Sequence, residues 1–502
     1  MVSRVSTFAI EGVEGREVTV EVDVRSGLPV FTVVGLPDAA VREARERVRA
    51  AVLNSGLEFP MRRLTANLAP ADIRKAGPGF DLALAVALLG ASGQLPGVDL
   101  HEWAFCGELA LEGHLRPVRG VVAMAAGARR SGRRRLVVPA ENAAEAAVID
   151  GIEVYGLQRL RDIAALLAGE LEASPPPPAA RPDGDALHGP DLAEVRGQED
   201  ARRALELAAA GGHNLLMFGP PGSGKTMLAR RLPGILPPPS LEEALEITRI
   251  HSVAGRSDGT LASRRPFRAP HHTISPSGLI GGGTTPRPGE VTLAHRGVLF
   301  CDELAEFSRP SIEALRQPLE DKRVEIVRGQ QSLTFPASVM FVAASNPCPC
   351  GRSLEKCECS DTEVRRYQRR LSGPLLDRLD LVCQVQPPSD APGEEGEPSR
   401  VVAARVAAAR QRQTTRLAAS AALCNADMDV RETRLHARLD DAAARRLGQA
   451  VVAGRISERG HDRVLRVART IADLEGREAI CDEDVDEALA YRILPPSLAV
   501  AA

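Results

Sequence analysis

The chain has 502 residues and a formal net charge of −3, with 44% hydrophobic and 26% charged residues. This length allows about three folding units, and the composition is that of a globular protein. One Trp and three Tyr leave few rings for stacking nucleobases, so any nucleic-acid contact is expected to use charge and backbone amides. The N-terminal segment MVSRVSTFAIEG lacks a secretory signal's apolar core, and no apolar run approaches about 18 residues. We therefore expect a cytoplasmic protein.

Two stretches rich in proline, glycine and acidic residues divide the sequence. We interpret 173–190 as a proline-rich linker and 387–399 as a flexible loop. Residues 1–172 mix β-type runs such as REVTVEVDV with helical runs such as FDLALAVALLG, which predicts an α/β domain. Residues 191–386 alternate apolar strand-like segments with amphipathic helices, which predicts a parallel sheet with helices on both faces. Residues 400–502 have an almost wholly helical pattern.

A glycine-rich loop in the second part has the pattern of a phosphate-binding loop. The strand-like HNLLMFG is followed by GPPGSGKT and then by the helix-like MLARRL, which fits G-x-x-x-x-G-K-[ST] in the setting that this motif requires. Backbone N–H groups of such a loop converge on phosphate oxygens, while Lys225 can reach the β and γ phosphates and Thr226 can ligate Mg²⁺. The predicted nucleotide-binding residues are Gly219, Pro220, Pro221, Gly222, Ser223, Gly224, Lys225 and Thr226.

Polar residues follow two further strand-like segments. GVLFCDEL places Asp302 and Glu303 after four apolar residues, and SVMFVAAS is followed by Asn346. We predict that Asp302 holds the Mg²⁺ shell and that Glu303 polarises the attacking water. The Asn346 amide can hydrogen-bond the γ-phosphate or that water without adding negative charge. Without the glycine-rich loop, the acidic pair would suggest a helix cap and Asn346 an ordinary turn.

Four cysteines fall close together in a chain that otherwise uses few. The segment NPCPCGRSLEKCECS places Cys348, Cys350, Cys357 and Cys359 as two C-x-C pairs separated by six residues. Four thiols at this density predict a zinc site that makes the loop rigid, although the spacing differs from the common C-x₂-C pairs. Reduced structural thiols and a redox pair remain alternatives.

The order of these motifs resembles that of an AAA+ ATPase. Within that superfamily, the segments APHHTISPSGLIGGG, GVLFCDELAEF, LRQPLEDKRVEI, NPCPCG and SGPLLDRLDL resemble the magnesium-chelatase-like ATPases of the ComM (YifB) type. The resemblance runs over almost the whole chain. It implies an α/β fold: a P-loop AAA+ parallel-sheet core with a helical lid, bound to ATP and Mg²⁺ and assembled into a homo-oligomeric ring, expected to be a hexamer.

This resemblance also implies roles for individual residues. Arg378 in LLDRLDL matches the arginine that a neighbouring subunit contributes to the nucleotide, and Gln198 lies in the segment that approaches the adenine. Arg459 is our choice for the arginine that the lid contributes to its own nucleotide, with Arg463 as the second choice. VEIVRGQQSLTF has the alternation of a hairpin, and in related DNA motors the equivalent hairpin faces a central channel, so Arg328 is a candidate DNA contact.

The loop between the nucleotide-binding helix and the acidic pair contains two adjacent histidines. His271 and His272 do not predict a metal site, because adjacent side chains rarely converge on one ion and the loop has no acidic residue close by in sequence. By the same resemblance, we interpret this loop as a structural or pore-facing insertion.

The first part of the chain resembles the Lon-protease-like fold. GELALEGHLRPVRGVVAMAAGARRSG is similar to the Lon pattern, and KAGPGFD lies where those proteases carry their nucleophile. On that pattern the catalytic serine falls at Gly79 and its partner lysine at Val122. Peptide hydrolysis by this dyad needs both a hydroxyl and an amine, so we expect this domain to be catalytically silent.

Three functions compete on these observations, and a pure nucleotide-binding switch is a fourth alternative against which Glu303 and Arg378 favour turnover. The leading hypothesis, implied by the resemblance, is a DNA-associated ATP motor that drives branch migration of incoming DNA in natural transformation, possible partners being DNA and recombination proteins. The second is a chelatase-type ATPase that remodels a protein partner, although chelatase ATPase subunits lack the Lon-like part. The third, an ATP-dependent protease, is disfavoured by Gly79 and Val122. No membrane partner is expected.

Overall fold

The computed structural model describes residues 2–36, 38–73, 75–95, 99–171, 189–283, 286–328, 331–352, 357–371, 373–387 and 395–492. The predicted linker at 173–190 and the predicted loop at 387–399 therefore lie mostly outside the described residues. Among those that are described, no helix is both long enough and apolar enough to cross a lipid bilayer.

The strands are β1 (Val2–Glu11), β2 (Glu14–Arg25), β3 (Val30–Val34), β4 (Arg63–Ala69), β5 (Trp103–Phe105), β6 (Glu108–Leu109), β7 (Leu115–Arg116), β8 (Arg135–Pro139), β9 (Glu153–Leu157), β10 (Leu215–Phe218), β11 (Phe267–Arg268), β12 (Gly281–Gly282), β13 (Arg287–Pro288), β14 (Val298–Cys301), β15 (Arg323–Arg328), β16 (Gln331–Pro336), β17 (Met340–Ser345) and β18 (Leu381–Gln384).

The helices are α1 (Ala39–Asn54), α2 (Asp81–Ala91), α3 (Val121–Arg130), α4 (Ala143–Ala146), α5 (Leu160–Ala168), α6 (Glu199–Gly211), α7 (Lys225–Ala229), α8 (Leu241–Val253), α9 (Pro276–Ile280), α10 (Glu290–Leu293), α11 (Arg309–Ala314), α12 (Arg316–Asp321), α13 (Asp361–Gln368), α14 (Gly373–Leu376), α15 (Ser399–Arg416), α16 (Val430–His436), α17 (Asp441–Val452), α18 (Glu458–Leu474) and α19 (Asp482–Ala490).

The chain forms two compact units, and the first of them is discontinuous in sequence. It comprises Met1–Pro182 and Leu241–Ser263, while the second comprises Asp183–Ser240 and Arg264–Ala502. The first unit contains a mixed seven-stranded sheet in the order β3-β4-β2-β1-β5-β8-β9. Strands β1 and β2 are antiparallel, and β5, β8 and β9 are parallel to their neighbours. Because α2 is apolar on all sides, it is almost wholly buried, as the predicted α/β domain requires.

Helix α8 belongs to the first unit, although the sequence analysis placed it in the ATPase core. Its apolar side chains Ala244, Ile247 and Ile250 are buried. Gly120 N donates to the carbonyl oxygen of Ser252 at 3.1 Å, and Arg249 Nη1 lies 2.7 Å from a carboxylate oxygen of Glu14. The prediction failed here because an amphipathic pattern shows that one face of a helix is buried but does not show which element covers it.

The second unit is built on a five-stranded parallel sheet in the order β11-β14-β17-β10-β18. Strands β10, β14 and β17 are the three apolar segments that were predicted as strands, and every residue in them is buried. Strand β10 lies between β17 and β18. Since all five strands run in one direction, the loops that follow β10, β14 and β17 meet at one edge of the sheet.

Two other predicted features of the second unit are present. The segment predicted as a hairpin forms β15 and β16, paired antiparallel from Arg323 opposite Pro336 to Arg328 opposite Gln331. Helices α15 to α19 provide the predicted helical C-terminal part. Helices α15, α17, α18 and α19 share one hydrophobic core with the sheet, which includes Leu215, Val402 and Ala468, so this part is not a compact unit of its own.

Candidate nucleotide-binding site

The glycine-rich loop joins β10 to α7 at the carboxyl edge of the parallel sheet. Its conformation depends on glycine at two positions. Gly224 has a φ of 93°, in the left-handed region where other residues are strained. A Cβ atom at Gly219 would lie only 2.2 Å from the carbonyl oxygen of Val385. A glycine-rich turn that leads directly into a helix is the arrangement in which backbone N–H groups bind phosphate.

Lys225 is the first residue of α7, and its ammonium group is held over the loop. Nζ donates to the carbonyl oxygens of Gly219 and Pro220 at 2.7 and 2.8 Å and to Asn346 Oδ1 at 3.2 Å. Burial lowers the pKa of Lys225 below its ordinary value, while the negative charges of Asp302 and Glu303 act in the opposite direction. The fold therefore brings together Lys225 and Asn346, residues that are far apart in sequence.

The acidic pair follows β14 and meets the loop from the neighbouring side. Thr226 Oγ1 donates to Asp302 Oδ2 at 2.6 Å, and the backbone N–H of Glu303 donates to Asp302 Oδ1 at 2.9 Å. Glu303 has a φ of 50°, and its half-exposed side chain is the more accessible of the two carboxylates. Thr226 and Asp302 thus supply a hydroxyl and a carboxylate oxygen in contact, which is the donor chemistry that Mg²⁺ prefers.

A histidine that sequence reasoning set aside lies beside this pair. His272 Nδ1 is 3.5 Å from a carboxylate oxygen of Glu303, and the rings of His271 and His272 have centroids 4.1 Å apart. The sequence shows no acidic residue near these histidines, but the fold brings the carboxylate of Glu303 close to His272. No local pattern could have shown this contact, because it joins two segments about thirty residues apart through the fold.

Gln198 bridges the loop to the strand beside it. It precedes α6 with a φ of 56°, and its Nε2 donates to the carbonyl oxygen of Gln386 at 2.6 Å. The same nitrogen lies 3.4 Å from the carbonyl oxygen of Ser223. The structure thus places Gln198 next to the glycine-rich loop, and its approach to the adenine stays a prediction.

Arg378 lies at the opposite edge of the same sheet. Its carbonyl oxygen accepts from Asn214 Nδ2 at 3.0 Å, and Asn214 immediately precedes β10, whereas the glycine-rich loop follows β10. The guanidinium pairs with Glu320 and lines a cavity of about 460 Å³. The fold therefore does not bring Arg378 to Lys225 of the same chain.

Of the two arginines considered for the lid, the structure describes the side chain of Arg463 but not that of Arg459. The backbone of Arg459 belongs to α18, but its side chain lies outside the described part of the structure. Arg463, the second choice, donates to Asp380 Oδ1 at 2.7 Å and lines the cavity of Arg378. Burial would raise the pKa of Asp380, but His213 and the charge of Arg463 hold it well below its usual range. Arg463 is thus held by Asp380 at the edge of the sheet that lies away from the glycine-rich loop.

The four cysteines converge as predicted. Their sulfur atoms all lie within 4.8 Å of one another, with 3.3 Å between Cys348 and Cys350, 3.4 Å between Cys348 and Cys357, and 3.7 Å between Cys350 and Cys357. Thiolates arranged tetrahedrally around zinc are about 3.8 Å apart, so all four, Cys359 included, fit one such ion. A Cβ atom at Gly351 would lie 2.6 Å from Pro221 Cγ, so the residue that follows Cys350 packs directly on the glycine-rich loop.

The predicted DNA-contacting arginine is only partly described. The backbone of Arg328 ends β15, and its side chain lies outside the described part of the structure.

Comparison with known proteins identifies the family. Models described as "Magnesium chelatase, subunit ChlI", "Subunit ChlI of Mg-chelatase" and "Magnesium chelatase, subunit ChlI C-terminal" match residues 191–392, 20–142 and 396–492. YifB of Salmonella typhimurium is 44% identical over 502 residues, covering 98% of this chain and 97% of that protein. Competence protein ComM of Haemophilus influenzae is 42% identical over 492 residues, 96% of each chain. The chain belongs to the ComM/YifB family of magnesium-chelatase-like proteins.

The first unit of this ComM/YifB-family chain is similar in sequence to a Lon protease. Lon protease 2 of Bacillus subtilis is 31% identical over 147 residues, 26% of this chain and 25% of that protein. At the two dyad positions stand Gly79 and a fully buried Val122. The backbone N–H of Val122 points to Ser252 Oγ at 3.4 Å. The position expected for the lysine is thus part of the packing between α3 and α8.

Proposed function

We propose that this protein is a Mg²⁺-dependent ATPase of the AAA+ type. The observation that carries the proposal is the convergence of Lys225, Thr226, Asp302 and Asn346 on one edge of the parallel sheet. Bound Mg²⁺ would neutralise phosphate charge, with Thr226 and Asp302 as the residues that hold it. Lys225 binds the terminal phosphates, Asn346 orients the γ-phosphate or the water, and Glu303 polarises the water.

The proposed enzyme works as a ring of identical subunits, for which we propose six. Arg378 lies at the sheet edge away from its own glycine-rich loop, so it can serve a nucleotide only on a neighbouring copy. An arginine supplied in this way stabilises the charge that develops on the transferred phosphoryl group. In this arrangement Arg378 must release its ion pair with Glu320 before it can contact the phosphate of the neighbouring copy.

We propose DNA as the substrate of the motor, with branch migration during recombination of incoming DNA in the cytoplasm as its task. Support comes from the name of the relative ComM, a competence protein that matches along 96% of its length. The alternative is remodelling of a protein partner, which is supported by the match to the magnesium chelatase models. A protease function is disfavoured because Gly79 and Val122 offer neither hydroxyl nor amine.

We further propose that Cys348, Cys350, Cys357 and Cys359 bind one structural Zn²⁺. Four converging thiols and no open ligand position suit a structural rather than a catalytic site. Metal analysis of untagged protein should give about one zinc per chain. A stoichiometry near zero in protein purified without chelators would contradict this assignment.

The central experiment measures ATP turnover with Mg²⁺ in the presence of single-stranded, forked and four-way DNA. We expect turnover that rises with at least one DNA. Glu303→Gln should reduce turnover by about 10²-fold or more while ATP binding persists, because the glutamine cannot polarise water. Full turnover in that variant would refute the role of Glu303, and indifference of the wild type to every DNA would favour a protein partner.

A further inference from the structure

Helix α13 and the turn that follows it present a dense group of basic side chains. Arg365, Arg366, Arg369 and Arg370 are all exposed, while Tyr367 and Gln368 between them are buried. This arrangement is fixed by the fold at both ends. Ser360 caps the helix in a reciprocal pair with Glu363, and Gln368 Nε2 donates to the carbonyl oxygen of Pro347 at 3.2 Å. The arginines are therefore displayed on a rigid element.

Three of these arginines line one side of a groove. The groove has a volume of about 800 Å³ and runs between the last turn of α13 and the beginning of α11. Its lining residues are Glu306, Phe307, Ser308, Arg309, Ile312, Glu313, Arg366, Arg369 and Arg370. We call this feature the arginine groove.

The acidic residues of the arginine groove already have partners. Arg370 Nη1 lies 3.2 Å from a carboxylate oxygen of Glu306, and Arg316 Nη1 lies 2.8 Å from one of Glu313. Within the described ranges, Arg309, Arg366 and Arg369 make no ion pair. Three exposed guanidinium groups from two separate elements therefore face one concavity, and none of the three is paired with the carboxylates that also line it.

The helix dipole explains only part of this arrangement. Basic residues in the last turn of a helix interact favourably with its negative end, which accounts for arginines on α13. It does not account for Arg309, which stands at the beginning of α11, where a positive charge opposes the dipole. Convergence of Arg309 with Arg366 and Arg369 instead matches an anionic ligand that contacts both elements.

We propose that the arginine groove binds the phosphodiester backbone of a single nucleic-acid strand. The proposal deepens the DNA-motor function above and rests on it. Arg366 and Arg369 are three residues apart in the last turn of α13 and its C-cap, so the two side chains lie on the same side of this element and can contact one phosphodiester backbone together. Phe307 and Tyr367 are buried, so neither ring is available for stacking on bases. Binding through this groove is consequently independent of base sequence and strongly dependent on salt.

The test compares two double variants with the same loss of charge and the same spacing of three residues in sequence. Arg366→Gln/Arg369→Gln alters the arginine groove, whereas Arg431→Gln/Arg434→Gln alters exposed positions of α16 in the same unit. The probe is fluorescein-labelled oligo-dT, whose anisotropy is measured over a range of salt concentrations. We expect the groove variant to bind at least about tenfold more weakly at about 0.1 M salt, with a salt slope smaller by about 1.4, because each lost phosphate contact on a single strand contributes about 0.7. The control should stay within about twofold of the wild type.

The outcomes separate this inference from the function on which it rests. Wild-type protein that binds no nucleic acid overturns both. Wild-type binding with equal affinity of the two double variants overturns the groove and leaves the DNA motor intact. If the groove variant loses ring assembly and DNA-independent ATP turnover together, the groove is a contact between copies of this chain and the inference is wrong. Selective loss of oligo-dT binding with basal turnover retained supports it.

Discussion

Two glycine-containing turns of this molecule, Gly219–Thr226 and Lys75–Asp81, have similar local features and different surroundings. Each contains a buried lysine that donates to backbone carbonyl oxygens, Lys225 to Gly219 and Pro220, and Lys75 to Pro70. Burial lowers the pKa of both lysines. A buried lysine beside a glycine turn is therefore not in itself a catalytic feature.

The difference lies in what the neighbouring elements contribute. At the first turn, Thr226, Asp302 and Asn346 converge with Lys225 on one edge of a parallel sheet. At the second turn, the carboxylate of Asp81 is already occupied, because Arg47 Nε donates to it at 2.7 Å and the backbone N–H of Leu109 at 3.3 Å. One turn retains polar groups for a ligand, and the other uses its polar groups to hold the fold.

The largest expected effect comes from the two lysines. Lys225→Met should lower ATP turnover by about 10²-fold or more, because no other cation replaces Nζ at the terminal phosphates. Lys75→Met, the matched change, should leave turnover within about twofold, since methionine fills the buried volume without a charge to desolvate. Steady-state ATP hydrolysis measures both. A comparable loss in Lys75→Met would show that the second turn serves the ATPase.

The two aspartates should separate catalysis from stability. Asp81→Asn removes the negative charge that pairs with Arg47. We expect this change to cost about 3 kcal/mol of folding free energy in the first unit and to leave ATP turnover little changed. Asp302→Asn should reduce Mg²⁺-dependent turnover by about 10²-fold and change stability by less than about 1 kcal/mol. Denaturant unfolding and ATP hydrolysis are measured on the same preparations. Equal destabilisation by both changes would remove the distinction between the turns.

The smallest effect is expected at the former nucleophile position. Among the described residues, a Cβ atom at Gly79 would contact only Val118 Cγ1, at 3.8 Å, so Gly79→Ser should change stability by no more than about 0.5 kcal/mol. Gly77 has a φ of 87°, and Gly77→Ser should cost about 1–2 kcal/mol although no described atom lies within 4 Å of the added Cβ. Thermal unfolding distinguishes them. Gly79→Ser should also cleave no fluorogenic peptide, because Val122 supplies no amine.

Much of the site could be predicted from sequence because its signals are local. Lys225, Asp302 and Asn346 each follow an apolar strand, and parallel strands bring such positions to one edge. The contact of His272 with Glu303 and the pairing of Arg463 with Asp380 could not be predicted, since each joins distant segments without a local pattern. The same holds for α8, whose apolar face fits a sheet of either unit by pattern alone.

The assembly of the first unit from two chain segments has a consequence for cutting the protein. Proteolysis within 172–188 would cut the chain once. Helix α8 would then belong to the C-terminal fragment but would remain packed in the first unit with the N-terminal fragment. The two pieces should remain associated after such a cut. A chain shortened to residues 183–502 would instead expose Ala244, Ile247 and Ile250 to water, so this fragment, which retains α8, would be prone to aggregate.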